Sequence, residues 1–153
     1  MRIRSVLLLC AVAAVGLFLA GCEDKTAGDE HTLTYTEGKG EFGPIGDISK
    51  NSTPPGSGFA FSSPLTDDSG SEAGTLYAMC ISTSDTPANE LTGTCTGTVD
   101  LSGGQLALNV GGDTSGAITG SITGGNGDYE GATGTFESSG GNQSTDTFTY
   151  TLP

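Results

Sequence analysis

From His31 onward the apolar residues of this chain recur at every second position, and glycine interrupts the pattern nearly every ten residues. Side chains at i and i+2 share a face only on a β-strand; a helix needs apolar residues at i, i+3, i+4 and i+7. After the N-terminal segment no stretch longer than two helical turns has that second spacing. The first spacing recurs eight times. "HTLTYTE" aligns Leu33 and Tyr35, "FAFSSPL" aligns Phe59, Phe61 and Leu65, and "ELTGTCTGTVDL" aligns Leu91, Cys95, Val99 and Leu101. "GQLALNV" aligns Leu106, Leu108 and Val110, "GAITGSIT" aligns Ile118 and Ile122, and "ATGTFES" centres on Phe136. "DTFTYTLP" aligns Phe148, Tyr150 and Leu152. "AGTLYAMCIS" carries apolar residues on both faces, which predicts a strand covered on both sides. Eight short strands joined by Gly, Ser, Asn and Asp turns predict an all-β domain. Closing eight antiparallel strands removes exposed sheet edges and leaves an interior for side chains or one small ligand. An eight-stranded antiparallel up-and-down β-barrel is therefore favoured over a sandwich.

The N-terminus has a different character. Arg2 and Arg4 stand at the start of an apolar run from Ile3 to Leu19, followed by Ala20, Gly21 and Cys22. A positive start, an apolar stretch and small residues make an export signal rather than a fold element. "LAGC" resembles the lipobox of bacterial lipoproteins, in which the cysteine thiol is acylated and becomes the first mature residue. Several acyl chains, each contributing about 0.8 kcal/mol per buried methylene, would anchor the protein durably to a membrane. The expected organisation is a signal peptide over 1–21, a flexible tether over 22–31 and a β-barrel over 32–153. The tether, with no apolar residue larger than Ala27 before His31, would reach roughly 15 Å. The expected location is the bacterial cell envelope, the outer membrane or cell surface in preference to the inner membrane.

Once residues 1–21 are removed, three lysines (Lys25, Lys39, Lys50) face eighteen acidic residues, a net charge of −15. Such a surface repels phosphate backbones, which excludes a nucleic-acid partner. Of the four cysteines, Cys10 leaves with the signal and Cys22 takes the lipid. A hairpin over "SDTPANE", with its midpoint near Pro87 and Ala88, sets Cys80 opposite Cys95, Ala78 opposite Gly97 and Leu76 opposite Val99. One register thus pairs both the cysteines and the apolar residues, so a Cys80–Cys95 disulfide is expected in an oxidising compartment. A loop of this length makes it worth about 3 kcal/mol in the chain-entropy account. The sole histidine, His31, stands alone, so no zinc site is expected.

The densest glycine run is "GGNGDYEGATG", Gly124 to Gly134. A P-loop would need a lysine, and none follows Lys50; a dinucleotide fingerprint would need a following helix, where the residues here read as strand. The calcium-binding β-helix repeat is one position longer and comes in arrays, whereas this run occurs once. No cofactor or metal is expected, and the run reads as a turn between strands. "ITGSITGGNGDYEGATGTF" resembles the segment before the penultimate strand of allene oxide cyclase-like and dirigent-like barrels, where I-x-G-G-T-G-x-Y/F-x-G-A-x-G is characteristic. Gly124, Gly125, Gly127, Tyr129, Gly131 and Gly134 carry the match, and the strands of "FAFSSPLTDDSGSEAGTLYAMCIS" and "ELTGTCTGTVDLSGGQLALNV", with their paired cysteines, extend it over about residues 32 to 152. The resemblance implies an eight-stranded barrel with an apolar cavity, in a family whose enzymes steer cyclisation or coupling of hydrophobic substrates. Many members carry arginine after the Gly-Ala pair. This chain has Thr133 there and no arginine after Arg4, so any role of that arginine is not carried over.

Acid–base candidates within the strands are Asp100, Glu137 and Asp146, and Tyr35, Tyr77 and Tyr150 could donate hydrogen bonds. Asp100 and Glu137 lie opposite the apolar faces of their strands, which directs both to solvent. No Ser-His-Asp or Cys-His arrangement exists. Two functions remain open: a membrane-anchored barrel binding a small hydrophobic molecule, with or without isomerase or cyclase activity, and a structural or surface-interaction lipoprotein with a filled barrel. The state of the barrel interior separates them.

Overall fold

A computed structural model describes residues 28–87, 92–113, 117–140 and 143–153. The signal segment, Cys22 and most of the tether lie outside these residues. The described chain forms β1 (Glu30–Glu37), β2 (Glu41–Ile45), β3 (Gly58–Thr66), β4 (Glu72–Ser82), β5 (Thr92–Leu101), β6 (Gly104–Asp113), β7 (Ile118–Gly127), β8 (Thr133–Ser138) and β9 (Thr145–Thr151). Every neighbouring pair is antiparallel. All eight expected strands are present. Glu30 and His31, assigned from sequence to the tether, are already the first residues of β1.

β2 was not among the expected strands; Gly43 and Pro44 break the period-two alternation there. Its pairing shows what it is. Thr36 and Glu37 of β1 pair with Thr66 and Leu65 of β3, and Glu41 to Ile45 of β2 continue along the same strand to Gly58. β1 and β2 are thus one bent strand, offset by a one-residue bulge at Gly38–Lys39–Gly40. Its first half pairs with β9, from Glu30 opposite Thr151 to Thr36 opposite Thr145. Its second half pairs with β3, which closes an eight-stranded barrel. Pro44 is tolerated because β2 has no neighbour on its other edge.

The alternation seen in the sequence decides the inside. Leu65, Leu76, Val99, Leu106, Leu108, Ile122, Phe136 and Phe148 are buried in one cluster. The Phe136 and Phe148 rings pack 5.1 Å apart across β8 and β9. Threonines face outward, with Thr32, Thr34 and Thr36 opposite Thr149, Thr147 and Thr145; cross-strand threonine pairs suit an exposed sheet face. β4 departs from expectation. Tyr77 and Met79 on its outer face are about half exposed, because the sheet closes on itself and no second layer covers its outside.

The cysteine register is as expected: Leu76 opposes Val99, Ala78 opposes Gly97, and Cys80 opposes Cys95 with a disulfide across a 4.0 Å Cα separation. The glycine run forms the β7–β8 turn. Gly127 and Gly131 adopt positive φ (60° and 76°), a region costly for other residues. Gly134 has an ordinary φ, but a Cβ there would overlap the Thr149 carbonyl oxygen of β9; at Gly124 a Cβ would meet nothing. Gly134→Ala should therefore lower unfolding free energy by about 1–3 kcal/mol, with Gly124→Ala within about 0.5 kcal/mol of the parent. Urea denaturation of the two variants checks this, and equal effects would refute it.

Candidate functional site

The bent strand also creates the site. β9 ends opposite Thr36, so β2 and the facing half of β3 stand beyond it as a free wall. Glu37 is the residue at the fork. Its backbone N–H donates to the Ser144 carbonyl before β9 (2.8 Å), while the next N–H, that of Gly38, donates to the Pro64 carbonyl of β3 (2.8 Å). Between the wall and the β8–β9 connection lies a cavity of about 600 Å³, lined by Glu37, Lys39, Glu41, Ser63 and Gln143 and by three aromatic rings. Phe42 lies 4.9 Å from Phe59, and Phe59 lies 6.0 Å from Phe61, centroid to centroid. Phe59 pairs directly with Cys80, so the disulfide backs this aromatic wall.

Beneath the cavity a polar cluster replaces the apolar core. Asp146 is completely buried and opposes Ser138 on β8 and Tyr35 on β1. Neither of its oxygens has a hydrogen-bond partner of good geometry among the described residues. Burial first, with the nearby Glu37 carboxylate, raises its pKa from 3.8 to about 6. The neighbouring Ser138 and Ser144 hydroxyls pull the other way without restoring the ordinary value. Ser144 Oγ donates to Glu37 Oε2 at 2.5 Å, and the same hydroxyl neighbours Asp146. Burial likewise raises the Tyr35 hydroxyl. A carboxyl group titrating near neutrality beside a cavity can give or take a proton at working pH.

The other sequence candidates are placed elsewhere. Asp100 and Glu137 are exposed, as alternation required, and Tyr77 faces solvent. Tyr150 is buried at the far end of β9, stacked on His31 (5.3 Å) and touching Tyr129 edge-on (5.7 Å). Gly124, Gly125, Gly127, Tyr129, Gly131 and Gly134 shape that end of the barrel and supply nothing to the cavity. A second concavity, about 540 Å³, runs along the outer wall of β6–β8. Its lining of Asn109, Thr119, Ser121, Thr123, Thr135 and Glu137 brings together no acid–base pair. Glu37, Phe42 and Ser144 were not singled out from sequence. Glu37 was within reach, being two residues past Tyr35 on the same face. Ser144 and the exposure of Phe42 depend on the fork.

Neither a family model nor a curated protein matches the sequence. Solved structures do match. A pyocyanin demethylase superposes with a TM-score of 0.67 at 22% identity, over 80% of this chain and 100% of that one. A pterocarpan synthase dirigent protein does so at 0.59 and 18%, over 82% and 87%. A Diels-Alderase from Streptomyces koyangensis does so at 0.58 and 14%, over 84% and 72%. At these identities the likeness is one of fold alone, that of a closed antiparallel β-barrel.

The buried carboxyl group has a thermodynamic signature. Its folded pKa is raised, so the folded state binds more protons than the unfolded state between pH 3.8 and about 6. Stability from the neutral group is full below pH 3.8 and is lost as pH rises through about 6, by up to about 3 kcal/mol. Asp146→Asn should flatten that slope and leave the variant more stable than the parent at pH 8, as measured by denaturant unfolding across pH 4 to 8. A parent slope that survives in the variant would rule out Asp146 as its source.

Proposed function

We propose that this barrel binds a small hydrophobic, aromatic molecule in the cavity at its mouth and handles a proton there. The observation that carries this reading is the joining of an aromatic wall to the Glu37 carboxylate in one cavity, with the buried Asp146 close by. Phe42, Phe59 and Phe61 supply apolar surface, and Phe42, 64% exposed, is an apolar group left open to solvent until something covers it. Glu37 faces the cavity and accepts a hydrogen bond from the Ser144 hydroxyl; the buried Asp146 carboxyl lies close to both. A proton taken from a bound molecule would be held on Glu37, beside a second carboxyl group, Asp146, that itself titrates near neutrality. Its return at another atom would isomerise the ligand, and its delivery to a developing charge would assist a cyclisation. Acid–base groups of this kind typically contribute 10²- to 10⁴-fold in rate. Barrels of this fold named as a demethylase, a dirigent protein and a Diels-Alderase support a ligand-handling role.

The filled-barrel alternative has partial support. Among the described residues most of the interior is packed by Leu, Val, Ile and Phe, and the mouth is open. A ligand of this protein therefore sits at the rim, over the core.

We further propose that the domain is held at a bacterial envelope membrane by an acylated Cys22. The lipobox-like "LAGC" after an apolar run supports it, as does a disulfide suited to an oxidising compartment.

Native mass spectrometry of the protein purified from its own membranes should show a co-purifying small molecule, lost or reduced at least tenfold in Phe61→Ala. An empty parent protein that also binds no aromatic probe would overturn the ligand-binding reading. Cys22→Ser should move the protein from the membrane fraction to the soluble fraction, and unchanged membrane retention would overturn the acylation.

A further inference from the structure

We infer that the molecule taken at this mouth is an aromatic cation, in preference to a neutral or anionic compound. The inference rests on the ligand-binding reading above and adds a charge to it. Glu37 and Glu41 line the cavity, Asp146 lies close to Glu37, and among the described residues Lys39 is the one cationic side chain in the lining. The lining is thus net negative even with Asp146 protonated. Three phenylalanine rings meet at the same place, their centroids 4.9 and 6.0 Å apart. Aromatic faces carry negative charge density and attract cations within about 6 Å, an attraction that grows as water is excluded. Ser63 and Gln143, also in the lining, can accept hydrogen bonds from a ligand's N–H groups.

The field of the whole domain has the same sign. From residue 28 onward the only basic residues besides His31 are Lys39 and Lys50. A cleft lined by one sign of charge concentrates ligands of the other sign and repels its own. An anion would meet Glu37 and Glu41 with Lys39 as its only counter-charge. A neutral aromatic would gain the wall's apolar contact but would desolvate carboxylates without replacing their lost water. A cation on a flat ring satisfies wall and carboxylates together.

The test uses the full chain in lipid nanodiscs, with empty nanodiscs as the control for partitioning. Three probes share one ring system: N-methylacridinium (cation), acridine (neutral at pH 8) and acridine-9-carboxylate (anion), each followed by fluorescence at pH 8. The cation should bind at least tenfold more tightly than acridine, and the carboxylate most weakly. Glu37→Gln and Glu41→Gln together should shrink the cation-to-neutral ratio several-fold. Acridine binding as tightly as the cation, or a ratio unmoved by the two substitutions, would overturn the charge selectivity and leave the ligand-binding reading intact. Failure of all three probes to bind would overturn both.

Discussion

The rest of the structure depends on a single strand that changes partners. β1 pairs with β9 as far as Thr36; after Glu37 the chain bulges through Gly38–Lys39–Gly40 and runs on against β3 as β2. Only Thr36–Thr66 and Glu37–Leu65 join β1 itself to β3. Without that crossover the sheet would be open, with β1 and β3 as edges ready to pair with other chains. With it, the barrel closes at a stagger that leaves β2 unpaired on one side. Closure of the barrel and opening of its mouth are consequences of the same bulge.

The core and the site divide the barrel between them. Above the Tyr129–Tyr150 end the interior is apolar and filled. Towards the mouth, Ser138, Ser144 and Asp146 occupy positions that Leu or Val could fill. A buried carboxyl group lacking well-formed hydrogen bonds costs stability wherever it ionises. A small barrel whose thin core is helped by one disulfide has little stability to spare, and natural proteins tolerate such positions mostly at sites that do something. That is the physical reason for reading the Asp146 cluster as functional.

The barrel was legible because period-two alternation survives wherever one face of a strand is buried and the other wet. Asp146, Phe148 and Tyr150 share parity, so the carboxylate's inward position followed from the same rule that put Phe148 in the core. The cysteine register was legible because turn length fixes it. β2 was not, since Gly43 and Pro44 break the local pattern and only the long-range pairing with β3 makes a strand of them. The outer face of β4 misled for the opposite reason: Tyr77 and Met79 look like core by hydrophobicity, and only closure of the sheet puts them outside. The glycine motif marks the fold correctly and lies at the end away from the cavity, so the most recognisable stretch of sequence is silent about the chemistry.

The hydrogen bond from the Ser144 hydroxyl to Glu37 joins residues 107 positions apart in the chain. Glu37 sits near the start of the domain and Ser144 and Asp146 near its end, with seven strands laid down between them. Loop closure over such a distance comes late, after local hairpins have formed and once the first and last strands meet. No hairpin, no half-barrel and no truncated product of this gene can hold the pair. The acid–base cluster exists only in a molecule whose ring of strands is complete, so whatever it does is withheld from every folding intermediate.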